Sequence, residues 1–215
     1  MSDLLNQWRR DYEAESALLE ADMQADPIEQ FRLWFDEAAA ADFIEPNAMT
    51  LATCSADGTP GARIVLLKEY DQGGFVFYTS YEGAKAAALH ENPRAELMFF
   101  WDKLGKSVRI NGSVMKVDRA ASEAYFATRP VKSQLGAWAS HQSQPVQSRA
   151  ALSEHFEAAA ERFGDGQVPT PPNWGGYRVI PQWIEFWQGQ RSRLHDRIVY
   201  TKARNGGWSI QRLSP

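Results

Sequence analysis

One cysteine, Cys54, stands among 215 residues, which excludes an internal disulfide and any multi-cysteine metal site. It lies in the apolar run MTLATC and reads as a small core thiol rather than a nucleophile. The four histidines, at 90, 141, 155 and 195, never come at a metal-ligand spacing, so no zinc or iron site is expected. No apolar run approaches the length of a membrane span, and MSDLLNQWRRDYEAES is too charged for a secretory leader; the expectation is a cytoplasmic protein. An excess of one charge is also missing. With 23 Lys and Arg against 27 Asp and Glu the net charge is −4, which gives no long-range pull on nucleic acid or an anionic membrane. Any anion site is therefore a local cluster. No GxGxxG follows a strand, no GxSxG occurs, and Gly105-Lys106-Ser107 fails as a phosphate loop because Phe100 stands where its first glycine is needed.

What is present is a core. The apolar fraction of 44% and aromatic fraction of 12%, with eight tryptophans, fit a folded chain long enough to do without staples. Residues 1–25 are polar and weakly patterned and read as a mobile arm; 26–215 read as a single domain without repeats or linkers. Asp26, Pro27 and Glu29 supply an N-cap, a first-turn proline and a capping-box-like acid. They open a helix with Ile28, Phe31, Leu33, Trp34, Phe35 and Ala38 on one broad side, ending near Ala41. From Met49 the period becomes that of strands, at about 49–54, 62–70 and 74–80, with turns at SADGTP and DQGG. A helix at 83–91, stopped by Asn92 and Pro93, precedes strands near 94–101 and 107–117. Within the latter, Asn111-Gly112 reads either as a hairpin turn or as a bulge in one long strand. Helices at 119–128 and 148–163 flank RPVKSQLGAWASHQSQ, read as a helix end and loop, and strands at 176–180, 182–188, 193–201 and 207–212 complete the chain. The fold class expected is mainly β with inserted helices, an α+β antiparallel barrel with helical excursions.

The stretch WIEFWQGQRSRLHDR carries the strongest chemical signal. Read as strand, turn, strand, it places Arg193, His195 and Arg197 on one face, roughly 7 Å apart, with Leu194 and Ile198 facing a core. Such a face is either a solvated basic edge or the wall of a site for something anionic or π-rich. The strand before it is apolar on both sides and belongs in a core or an interface. In ARIVLLK, Arg63 and Lys68 are five apart and fall on opposite faces of a regular strand, so they meet one ligand only through a bulge or a second subunit. In FYTSYEGAK, Thr79 and Lys85 flank a helix start, where free N–H groups favour a phosphate. Tyr125, Arg129 and Ser133 come at spacing four around Pro130, three phosphate-type donors at a helix end. Gln142 and Ser143 offer amide and hydroxyl groups for the edge of a flat heterocycle. So many anion-binding groups in an acidic chain point to a phosphorylated aromatic ligand.

ARIVLLK, FVFYTS, YFATRP…SQLGAWASHQS, WGGYR and IEFWQGQRSRLHDR with a terminal RLSP resemble the pyridoxine (pyridoxamine) 5′-phosphate oxidases, from about Asp26 to Pro215 and more faintly over Trp8 to Tyr12. The resemblance implies a homodimer of FMN-binding split β-barrels with FMN at the subunit interface. It assigns FMN to Arg63, Ile64, Val65, Leu66, Leu67, Lys68, Tyr78, Thr79, Lys85, the position of Ser107, Gln142, Ser143, Trp187 and Arg197. Lys68, Tyr125, Arg129 and Ser133 would clamp the substrate phosphate, and Arg193 and His195 would meet the substrate ring. Arg9 to Tyr12 would form a flap. Two positions depart from the family pattern: Gly83-Ala84-Lys85 replaces Ser-Arg-Lys, and Lys106-Ser107-Val108 replaces Arg-Gln-Val, so an FMN-phosphate arginine and a flavin-edge glutamine are missing. The activity implied is oxidation of a phosphorylated vitamin B6 substrate, pyridoxamine or pyridoxine 5′-phosphate, to pyridoxal 5′-phosphate. A hydride passes from the 4′ carbon to the flavin and dioxygen becomes hydrogen peroxide. His195 serves in proton movement or only in positioning. The rival readings are a non-catalytic flavin- or haem-binding split barrel and a pyridoxal phosphate carrier.

Overall fold

The computed structural model describes the chain apart from residues 1–6, 8–10, 13, 15, 16, 165 and 205. Five α-helices and nine strands alternate among the described residues. The first helix, α1 (Pro27–Ala40), starts where the Asp26 carboxylate accepts the Ile28 N–H at 2.7 Å, and it buries Ile28, Phe31, Trp34 and Ala38. Glu29 does not close a capping box; it pairs with Arg32 on the exposed side. Next come β1 (Ala48–Cys54), β2 (Pro60–Leu66), β3 (Glu69–Asp71), β4 (Gly74–Ser80), α2 (Ala84–Glu91), β5 (Arg94–Trp101) and β6 (Lys106–Lys116). Three helices, α3 (Arg119–Thr128), α4 (Val131–Ala139) and α5 (Arg149–Phe163), precede β7 (Trp174–Gln188), β8 (Asp196–Lys202) and β9 (Trp208–Arg212). The strands form one sheet in the order β2-β1-β5-β6-β7-β4-β3, with β8 on β7 and β9 on β8. No helix among the described residues is long and apolar enough to cross a membrane.

Packing divides the chain into two units, one of residues 1–51, 96–112 and 181–215, the other of 52–95 and 113–180. In the first, Phe31, Trp34, Phe99, Phe186 and Tyr200 form an aromatic core: Phe31 lies 5.2 Å from Phe99, and Phe186 stands edge-on to Trp34 and Tyr200. In the second, Phe126, Leu135, Ala139, Ala159, Val168 and Trp174 pack together. There β4 pairs antiparallel with β7 from Phe75↔Val179 to Ser80↔Trp174. Gly74, at φ +124, permits that approach, since a Cβ there would stand 2.1 Å from the Val179 carbonyl oxygen.

Four local expectations are corrected and one open reading is decided. The strand expected over 62–70 breaks at Leu67-Lys68, where the Lys68 N–H turns to the Val76 carbonyl, so strand alternation no longer governs Lys68. Asn111-Gly112, for which the sequence leaves open both a hairpin turn and a place inside one long strand, lies within the single strand β6. The stretch after Pro130 is helix α4, stabilised by burial of Leu135 and Ala139; Gly136 in its middle weakens the helical signal. Gln134 of α4 donates its amide to the carbonyls of Phe126, Ala127 and Arg129, so it closes the open end of α3. Residues 176–180 and 182–188 belong to a single β7, because Pro181 falls between the part paired with β4 and the part paired with β8. Finally, β8 begins only at Asp196: Arg191–Arg193 form a 3-10 turn with Ser192 and Arg193 at φ +57 and +62, and Leu194 is 69% exposed instead of core-facing.

Candidate active site

A cavity of about 440 Å³ opens in the second unit. Ile64, Val65 and Leu66 at the end of β2, Lys68 after it, and Tyr78 and Thr79 on β4 form one part of its lining; Lys85, Tyr125, Arg129, Ser133 and Gln142 form the rest. The lining contains three cations and no carboxylate. The break at Leu67-Lys68 removes the objection that strand alternation raised against Lys68. Thr128, Pro130 and Trp174 also line the cavity and were not expected to. Of the residues expected there, Leu67 is buried, Ser143 is exposed at φ +68, and Arg63 donates to Thr53 Oγ1 and the Gly61 carbonyl.

Lys85 sits at the second position of α2, whose N-cap Gly83 supplies no side-chain cap. Its Nζ is buried, donating to Thr79 Oγ1 at 3.0 Å and Gln142 Oε1 at 2.5 Å, both neutral acceptors. Desolvation, then the neighbouring Arg63 charge, holds this ammonium below the ordinary lysine range. A Cβ at Gly83 would stand 2.6 Å from Gln142 Oε1, so glycine leaves room for that acceptor.

Arg129 follows the last residue of α3, which Pro130 prevents from continuing. Its guanidinium lies 4.8 Å from the Trp174 ring and 5.3 Å from Phe126, and Tyr78, Tyr125 and Trp174 stack near-parallel beside it. Arg129 Nη1 is buried without a hydrogen-bond partner, the one such side-chain atom identified among the described residues. Desolvation lowers its pKa, against the opposing pull of Tyr125. A desolvated donor of this kind costs stability unless an acceptor arrives. The chemistry of the set, a buried lysine and a partly buried arginine beside flat aromatic rings, fits phosphate groups carried on planar heterocycles, FMN included.

A second cluster lies in the first unit. The His195 ring is 4.8 Å from Trp187, and the Tyr12 ring stands edge-on to both at 5.7 and 5.4 Å. A Cβ at Gly189 would come 2.3 Å from Tyr12 Cγ, so glycine makes room for that ring. His195 Nδ1 accepts the Gln190 N–H at 3.0 Å, which leaves the ring proton of the neutral imidazole on Nε2. Arg193 is exposed, and its strained turn, not strand spacing, decides where it points. Arg197 is half-buried and already balanced: Glu185 Oε2 accepts from Nη2 at 2.6 Å and from Nε at 3.2 Å, and the Ser214 carbonyl accepts from Nη1. The expected repulsion along this face is thus relieved in part by an internal carboxylate that is itself 3% exposed. Ser107 is buried on β6, Ala84 is exposed at the first turn of α2, and Arg9 lies outside the described residues.

Residues 35–163 match the model of the pyridoxamine 5′-phosphate oxidase family, and 174–215 match the pyridoxine 5′-phosphate oxidase C-terminal dimerisation region. The chain belongs to the pyridoxamine 5′-phosphate oxidase family. A pyridoxine/pyridoxamine 5′-phosphate oxidase of Bordetella petrii is 56% identical over 207 residues, 96% of this chain and 97% of the relative. One from Gloeothece citriformis is 51% identical over 93% of this chain and 94% of its own length. PhzG from Burkholderia lata, solved in complex with tetrahydrophenazine-1-carboxylic acid, superposes at a TM-score of 0.87 with 29% identity, over 93% of this chain and 98% of PhzG. A pyridoxamine 5′-phosphate oxidase-related FMN-binding protein of Nostoc punctiforme shares the fold at a TM-score of 0.72 and 17% identity, over 90% and 100% of the two chains. Membership makes the protein an oxidoreductase with FMN as its cofactor, and these neighbours bear out the α+β split-barrel expectation.

The sequence reading missed Trp174, although WGGYR stood out as a motif, because nothing local says that its ring will face a guanidinium 45 residues earlier. It also gave no role to Glu185, whose acidity inside an apolar strand was the available signal.

Proposed function

We propose that the protein oxidises pyridoxamine 5′-phosphate or pyridoxine 5′-phosphate to pyridoxal 5′-phosphate, working as a cytoplasmic homodimer with dioxygen as final acceptor. The alcohol and dioxygen yield the aldehyde and hydrogen peroxide; the amine, dioxygen and water yield the aldehyde, ammonia and hydrogen peroxide. The observation that carries this reading is the acid-free cavity in which Arg129 Nη1 is buried and unpartnered, because a phosphomonoester supplies the acceptor that this nitrogen lacks. The 56% identity to an oxidase of this name, over nearly the whole of both chains, supports the substrate class.

Bound FMN would supply the two-electron acceptor, and Lys85, Thr79 and Gln142 with the backbone of Ile64 to Leu66 are the groups suited to hold it. Arg129, Lys68, Tyr125 and Ser133 grip the substrate phosphate; this uses binding energy remote from the 4′ carbon to orient the ring. Arg193 and His195 meet the ring itself. With Nδ1 engaged by Gln190, His195 offers a proton donor at Nε2 and positions the ring instead of removing a proton. The match to the dimerisation region at 174–215 supports the homodimer.

The test is anaerobic mixing of FMN-loaded protein with each phosphate, followed by admission of dioxygen. Bleaching of the flavin, its return with dioxygen, and formation of peroxide and pyridoxal 5′-phosphate are expected. Flavin that stays oxidised with both phosphates sinks the reading and favours a carrier.

A further inference from the structure

The turn that carries Arg193 and His195 cannot hold its shape alone. Ser192 and Arg193 both lie in the left-handed region, at φ +57 and +62, where a side chain with a Cβ is strained. Within the turn, Leu194 N–H reaches the Arg191 carbonyl and Gln190 N–H reaches His195 Nδ1. Neither bond ties the turn to the body of the protein. One tie is the next residue. Asp196 is 7% exposed, and its Oδ2 accepts the Gln190 side-chain amide at 2.7 Å and the Leu18 N–H at 3.0 Å. Its Oδ1 accepts Arg212 Nη1 at 2.6 Å. Arg212 in turn engages both carboxylate oxygens of Glu20 and the Leu18 carbonyl.

We propose that Asp196 is a positioning residue for the oxidation: through Gln190 it holds the strained turn so that Arg193 and His195 face the substrate ring, while the same carboxylate oxygen anchors the backbone at Leu18. The proposal rests on the reading of Arg193 and His195 as ring-facing groups. Three features separate this role from plain stability. The carboxylate is the junction of three chain segments, residues 18–20, 190–195 and 212. Its contact to the turn goes to Gln190, the residue whose N–H fixes the His195 tautomer. And Tyr12, upstream of Leu18, rests its ring against His195 and Trp187.

The experiment compares Asp196→Asn, Arg193→Ala/His195→Ala, and the triple variant, all loaded with FMN. In Asp196→Asn, flavin reduction at saturating pyridoxamine phosphate should slow by about tenfold to a hundredfold, as expected for misaligned groups, with the apparent substrate affinity changed by less than about threefold. Amide exchange over 190–195 should quicken while that of β4 stays as before. In the Arg193→Ala/His195→Ala background, adding Asp196→Asn should slow reduction by less than about twofold, because the groups it positions are gone. A normal rate in Asp196→Asn, or the same further slowing in the double background, overturns the proposal. Should Asp196→Asn fail to fold, Gln190→Ala removes the side-chain amide through which Asp196 reaches the turn and leaves the Asp196–Arg212 pair in place; it should slow reduction at least about threefold, and an unchanged rate overturns the proposal equally. If Arg193→Ala/His195→Ala itself reduces flavin normally, the ring-facing reading fails and takes this proposal with it. A slowed double variant beside a normal Asp196→Asn refutes the positioning role alone.

Discussion

Replacing Arg129 by methionine should weaken catalysis and leave the free protein no less stable, two effects of opposite sign from one buried nitrogen. In the free protein Nη1 has no partner, and a desolvated orphan donor costs about 1–3 kcal/mol. Against that relief stands the loss of two cation–π contacts, to Trp174 and Phe126, at about 0.5–1 kcal/mol each. The net runs from about 1 kcal/mol against the variant to about 2 kcal/mol in its favour, weighted to the favourable side, so the unfolding midpoint of FMN-free Arg129→Met should hold or rise. With substrate bound the sign reverses. Truncating one side of a buried charge pair costs about 2–4 kcal/mol, or about 30-fold to 1,000-fold in kcat/KM, most of it in KM if the contact grips the phosphate equally before and during hydride transfer. Lys68 lines the same cavity but is exposed, and the corresponding Lys68→Met loss should stay near 1 kcal/mol, about fivefold. Stopped-flow reduction across a range of pyridoxamine phosphate concentrations, with thermal unfolding of the free proteins, measures all three quantities. If Arg129→Met costs less than about threefold while Lys68→Met costs more than about 30-fold, the burial argument has chosen the wrong cation.

Lys85 gives a pH prediction. Burial, then Arg63, lowers its pKa from the usual 10.5; a bound phosphate opposes both, so FMN binding takes up a proton at pH values between the lowered and the restored pKa. FMN affinity should fall as pH rises through that window, by at most about tenfold per unit, and fluorescence titrations of Lys85→Met should show weaker binding without that slope. A wild-type slope that persists in the variant points to another group. Ala84→Arg adds a cation at an exposed first-turn position and should slow FMN loss on dilution, whereas Ser107→Gln enlarges a buried side chain and should lower the unfolding free energy by about 1–3 kcal/mol. Faster FMN loss from Ala84→Arg would contradict the first half of that expectation. Gly175→Ala sets a Cβ 2.2 Å from Tyr81 Oη and 2.9 Å from Ser122 Oγ, whose bonds to Gly176 hold the start of β7. Chemical denaturation should show a loss of about 1–3 kcal/mol, and a loss below about 0.5 kcal/mol would mean that Tyr81 yields freely.

Local signals carried much of the secondary structure. Asp26 and Pro27 set the start of α1, Asn92-Pro93 stopped α2, and the glycines of DQGG marked the turn before β4. The residue types of the cavity were legible as well, because an acidic chain that concentrates Lys68, Lys85 and Arg129 near Tyr125, Ser133 and Gln142 declares an anion. What the chain order could not express is contact between distant segments. Helix α4 is weak by propensity and forms because Leu135 and Ala139 are buried. Alternation placed Arg193, His195 and Arg197 as equals on one strand face, yet tertiary structure gives them three environments: a strained turn, a ring bonded to Gln190, and a guanidinium neutralised by Glu185. Sequence determined which chemical groups this protein has, since composition and spacing are properties of the chain. Tertiary structure decided which charges are already satisfied and which still wait for a partner, because burial and neutralisation depend on residues such as Trp174 and Glu185 that only folding brings close.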